Sequence, residues 1–186
     1  MWKKLLILSL FISVIFVFSA PISPVNAGSK NVNWEVAGSI ANYVMVLDTT
    51  TSGLVPNFLI SLSAKGSPGE AEITLMGVGV PISDYNNNDP CDKLENILQV
   101  DFIQNDMVAR FPDLSLLFAR IIPSTSYLCV DTSTGISTFH AEMEFFKGTG
   151  RFEGVTGGSI MGDGTSYAVG NSLAGEVGTI KGNIIY

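Results

Sequence analysis

The chain has 186 residues, the length of one domain with or without a tail. Seventeen Asp and Glu against 10 Lys and Arg give a net charge of −7, with 46% apolar and 15% charged residues; this is too apolar for a disordered chain and too acidic for a nucleic-acid binder. One His and two Cys cannot supply the four ligands of a closed His/Cys zinc site, and a serine hydrolase would have to be built on His140 alone.

Residues 1–27 read as a secretory signal. Lys3 and Lys4 are followed by an apolar run from Leu5 to Phe18, and Val25-Asn26-Ala27 fits the small-x-small cleavage preference. The run falls short of the roughly 20 residues that span a bilayer. Cleavage leaves a predicted β domain at 28–186 with 8 basic and 17 acidic residues, a net charge of −9. Export to an extracellular or periplasmic space is oxidising, so Cys91 and Cys129 are expected to form one disulfide, the alternative being two buried thiols. Closing that loop stabilises by roughly 4 kcal/mol on chain-entropy grounds.

From Trp34 onward, short apolar runs alternate with turn residues. Trp34–Leu47 and Phe58–Ala64 read as strands; Lys65-Gly66-Ser67-Pro68-Gly69 turns the chain into a third, Glu72–Val80. Oxygen-bearing Asp84, Asn86, Asn88 and Asp92, with Glu95 at the twelfth place, have the spacing of a calcium loop. Asp89 where that loop needs glycine, and Pro90 after it, make a polar surface loop the plainer reading. Asp89-Pro90 followed by Leu94, Ile97 and Leu98 predicts a short helix over 90–98, with a return to strand near Val100. Met107–Phe111, Pro112-Asp113 and Leu114–Ile121 read as a hairpin with proline first in the turn. Arg110 and Arg120 flank it, and exposed pairing with Asp106 or Asp113 is their expected role.

Tyr127–Val130 leads through a polar turn into the clearest strand, Ile136–Phe146. There Phe139, Ala141, Met143 and Phe145 share one face, and Thr138, His140, Glu142 and Glu144 the other. His140 therefore reads as a solvated outer histidine, because a catalytic base should face a pocket. From Gly148 on, 11 of 39 residues are glycine, which suits strands that bend or pass closely. The last strand is expected over Leu173–Ile185. About eight strands suit an all-β fold, a single closed antiparallel barrel or a sandwich.

The string Gly148-Thr149-Gly150-Arg151-Phe152-Glu153-Gly154-Val155-Thr156-Gly157 invites a nucleotide-binding reading. Glu153 stands where the third glycine of that motif belongs, and no helix follows to receive a phosphate. The structural reading is a tight reversal with Phe152 covering the end of a core. This string resembles the G-[TS]-G-x-F-x-G-x-x-G signature of allene oxide cyclases, plant dirigent proteins and related secreted bacterial proteins. The resemblance implies an eight-stranded antiparallel barrel and makes trimers plausible. It is concentrated in residues 143–162 and carries no catalytic residue over, since the cyclases' catalytic positions lie on earlier strands.

The expected protein is a secreted, non-catalytic barrel with no cofactor and no stable membrane insertion. Its lumen, lined by Phe139, Met143 and Phe145, either accepts a small hydrophobic ligand or is filled by side chains; a protein partner is the other form of binding. The enzymatic alternative is an isomerase or cyclase of the allene oxide cyclase type, acting on an apolar substrate. It requires a polar cluster inside the barrel, for instance from the strand holding Glu35, Asn42 and Tyr43. A small outer-membrane barrel is the third reading: Tyr186, Ile184 and Ile180 alternate as such barrels end, while Gly182 and Gly178 interrupt the band. Apolar residues on both faces of Ile40–Leu47 and Leu114–Ile121 are compatible with a homo-oligomer.

Overall fold

A computed structural model describes residues 28–47, 54–82, 90–91, 96–169 and 172–186. Nine strands form among them: β1 (Ser29–Leu47), β2 (Leu54–Ser67), β3 (Ala71–Pro81), β4 (Ile97–Arg110), β5 (Leu116–Ile121), β6 (Tyr127–Asp131), β7 (Ile136–Gly148), β8 (Ser159–Val169) and β9 (Ser172–Ile185). Apart from the β4–β6 and β5–β7 pairs, the antiparallel ladders join strands consecutive in the chain, and β9 closes on β1 from Ser29↔Ile185 to Gly38↔Glu176. The result is an up-and-down antiparallel barrel closed by the β1–β9 ladder.

Nine strands make eight staves because β5 and β6 share one. The C-terminal half of β4 pairs with β5, Asp106↔Arg120 to Arg110↔Leu116, and its N-terminal half pairs with β6, Ile97↔Asp131 to Asp101↔Tyr127. Between them the chain bulges through a 3-10 turn, Pro123–Thr125. Ser126 stitches the gap: its hydroxyl accepts from the Glu142 N–H at 2.9 Å and lies 2.9 Å from the Ile122 carbonyl, to which it donates.

Period-two patterning decides which side chains fill the interior. Val32, Trp34 and Val36 of β1 are buried while Asn33, Glu35 and Ala37 face out. The same alternation turns Ala141, Met143 and Phe145 of β7 inward and Glu144 outward. At one end, here the lower, the β2–β3, β4–β5 and β7–β8 connections close over an apolar plug. Trp34, Phe111 and Phe152 are in ring contact there, with centroids 6.0 and 4.6 Å apart. Trp34 Nε1 donates to the Gly69 carbonyl at 2.8 Å, and the Arg151 guanidinium covers the Phe111 and Phe152 rings at 4.3 and 4.9 Å.

Several sequence expectations change. The helix expected over 90–98 does not form among the described residues: Pro90 and Cys91 lie in a bend, and Ile97 and Leu98 open β4. Pairing of Ile97 with Asp131 and Leu98 with Val130 draws both residues into a ladder that local helix preference cannot match. The hairpin at Pro112-Asp113 forms, with the Leu114 N–H donating to the Phe111 carbonyl at 2.9 Å. Asp113, however, pairs with Arg151 at 3.6 Å rather than with Arg110 or Arg120. Arg120 stands opposite Asp106 and lies over the Phe146 ring at 4.3 Å. Cys91 and Cys129 are bonded, with Cα atoms 5.6 Å apart.

Candidate functional site

The chemistry inside the barrel is sorted by end. Below, the inward positions are apolar or glycine. Above, towards the β1–β2, β3–β4, β6–β7 and β8–β9 connections, one ladder row carries Ser137 on β7, Ser166 on β8 and Glu176 on β9. All three are buried, Glu176 to 3% exposure. The next stave places Gly38 of β1 beside Glu176. A second row runs Phe58–Gly77–Asn105 across β2, β3 and β4. Strand stagger brings it into the same half of the lumen, with Asn105 on a stave opposite Glu176.

Glycine makes room for this arrangement. A methyl group at Gly77 would overlap the Asn105 amide, which lies directly across that strand. One at Gly164 would strike the ring of Phe139, its ladder partner, at 2.5 Å. The lumen wall here is therefore aromatic as well as polar: Phe58 and Phe102 meet edge to face at 5.4 Å, and Phe139 is half-buried.

On these two rows, three buried polar atoms have no hydrogen-bond partner among the described residues: Glu176 Oε2, Asn105 Oδ1 and Ser137 Oγ. Burial pushes the Glu176 carboxyl up from its ordinary value to about 7, because an apolar surround disfavours the charged form. The carboxyl is thus poised to exchange a proton near neutrality, and Asn105 Oδ1 is fixed as an acceptor.

The residues expected at the site are distributed differently. Phe139 borders the polar row, whereas Met143 and Phe145 lie deeper, both inside the packed apolar core. Glu35, suggested as an inward polar group, is exposed on the outer face because it alternates with Trp34 and Val36. The side chains of Asn42 and Tyr43 lie outside the described residues, as do Asp84, Asn86, Asn88, Asp92 and Glu95 of the calcium loop. Among the described residues no cluster of three metal-binding side chains occurs. Gly148 ends β7, and Gly150 opens a 3-10 turn at a φ of 61°, a left-handed conformation that suits glycine. Gly154 and Gly157 carry the chain on to β8, while Phe152 plugs the lower end.

His140 faces outward, with Nδ1 2.6 Å from Asp163 Oδ1 across the β7–β8 ladder, and it stacks on Tyr127. A concavity of about 520 Å³ lies on the outer face between Asn33, Glu35, Lys65, Gly66, Thr179 and Lys181. It is open to solvent and holds no buried polar group, so the lumen is the stronger site.

Sequence reasoning passed over Glu176, Asn105, Ser137 and Ser166. The signal for Glu176 was its parity: it shares the inward face with Ile180 and Ile184, where a carboxylate is out of place. No family model, curated protein or solved structure matches this chain.

Proposed function

We propose that the protein is an exported binding barrel whose upper lumen takes up a small, largely apolar molecule bearing a polar end. Burial of Glu176 Oε2, Asn105 Oδ1 and Ser137 Oγ without partners among the described residues carries this reading. A barrel that served only as scaffold would bury apolar groups there, since an unpaired buried polar atom costs about 1–3 kcal/mol. The aromatic wall of Phe58, Phe102 and Phe139 suits the apolar body of such a ligand. The signal-like residues 1–27 and the disulfide agree with export. The motif at Gly148–Gly157 agrees with a cyclase- or dirigent-like barrel, a superfamily resemblance that bears on fold more than on activity. Lys65, Arg120 and Lys181 are exposed on the barrel wall, and a basic residue facing lipid at mid-membrane costs about 2–4 kcal/mol; this speaks against an outer-membrane barrel.

Native mass spectrometry of the full chain purified from an exporting host tests the proposal. A retained small-molecule mass, or uptake of a neutral probe such as toluene or benzyl alcohol, supports it. A protein that carries nothing and binds neither probe overturns it. The enzymatic reading is favoured by one observation, a buried carboxyl titrating near 7, the range in which general acid–base groups work. Release of a chemically altered ligand by the wild type, with unaltered ligand from Glu176→Gln, would select it.

A further inference from the structure

We propose that Glu176, with Asn105 on the facing wall, forms a subsite for the protonated amine of the lumen ligand, so that the ligand class is an alkyl- or arylalkylammonium with an apolar body. The inference rests on the lumen-binding reading and adds the chemical identity of the ligand's polar end.

The argument begins with what the site lacks. Ionised Glu176 offers only acceptors, and so does the Asn105 Oδ1 atom; Ser137 can accept as well as donate. A ligand completing this set must bring donors, and several of them. It must also bring positive charge, because no described lysine or arginine is buried here. All of the described lysines and arginines, from Lys30 to Lys181, are exposed. Among the described side chains, the inward positions in this half of the lumen include Gly38 on β1, Ser166 on β8, Ser137 and Phe139 on β7, Asn105 on β4 and Gly77 on β3, none of which titrates as a side chain. A buried carboxylate without a counter-ion is strongly disfavoured. An ammonium group satisfies it with three donors and a charge. The rings of Phe58, Phe102 and Phe139 line the same half of the lumen and add cation–π attraction to the hydrophobic contact.

Binding of such a ligand needs the ionised form of Glu176. Alkylammonium groups titrate in the range of lysine and stay charged at both pH 6 and pH 8, so the pH dependence of binding reports the carboxyl. With that carboxyl titrating at about 7, its ionised fraction rises about tenfold between the two.

Isothermal titration of the full chain with benzylamine, benzyl alcohol and toluene, at pH 6 and pH 8, tests the inference. The expected result is benzylamine binding at least about tenfold tighter than benzyl alcohol at pH 8. Its affinity should fall about tenfold at pH 6 while the neutral probes stay level. Glu176→Gln should bring benzylamine down to the level of benzyl alcohol. The wild-type pH comparison decides the question even if that variant does not fold. Benzyl alcohol or toluene binding without any preference for the amine overturns the subsite and leaves the lumen reading standing. Tighter binding of benzyl alcohol at pH 6 than at pH 8 also overturns it, because the carboxyl would then act as a neutral donor. Absence of binding by all three overturns the lumen reading itself.

Discussion

A carboxyl that loses its water on folding holds its proton more tightly in the folded chain than in the unfolded one. For Glu176 the two values are about 7 and 4.5, with burial as the cause. Between them the folded state binds more protons, so stability is highest below pH 4.5 and is lost as pH rises through 7. The loss tends to about 3 kcal/mol above neutrality. Glutamine keeps the shape without the charge. Glu176→Gln should therefore stabilise the protein by up to about 3 kcal/mol at pH 8 and change it little at pH 4.5, read from urea midpoints at the two pH values. An equal effect at both would mean that the carboxyl is not desolvated in the folded chain. A residue that destabilises its own fold at neutral pH is what a binding subsite looks like before its ligand arrives.

At the scale of the element, the broken stave is the fold's main irregularity. β5 and β6 each pair with β4 on one side and β7 on the other, and the bulge between them takes Pro123–Thr125 out of the ladder. Ser126 replaces the missing backbone partner of Glu142 with its own hydroxyl, 2% exposed. Ser126→Ala should leave the Glu142 N–H buried and unpaired, at a cost of about 1–3 kcal/mol in chemical denaturation. Ser126→Thr keeps the hydroxyl and should lose less. None of this was legible in the sequence, because membership of one stave depends on pairing with β4, from Arg110↔Leu116 close by to Ile97↔Asp131 far along the chain. The Pro112-Asp113 hairpin and the Ile136–Phe146 strand were legible, since turn chemistry and alternation are local. The inward set at the top of the lumen was half-hidden. Gly164 and Gly178 remove the apolar stripe that would have shown Ser166 and Glu176 to be on the core face.

At the scale of the molecule the barrel has two unlike ends. The lower end is held by Trp34, Phe111 and Phe152, all within 1% of full burial, and is crossed by three turns. The upper end carries polar groups without partners among the described residues and rests on β6, a strand of five residues none of which is fully buried. Ligand-binding regions are commonly drawn from the less stable part of a fold. The disulfide is the device that offsets this, tying the β3–β4 connection at Cys91 to Cys129 in the middle of β6. Its loss should lower global stability by roughly 2–4 kcal/mol. Amide exchange should locate the effect as well as size it. On reduction, or in Cys129→Ser, protection should fall first at Tyr127–Asp131 and at the Ser137–His140 positions paired with it, while Val32–Val36 and Ile180–Ile184 keep theirs. A uniform loss along all staves would instead mean that the barrel opens as one unit, and that the polar end is no less stable than the aromatic plug beneath it.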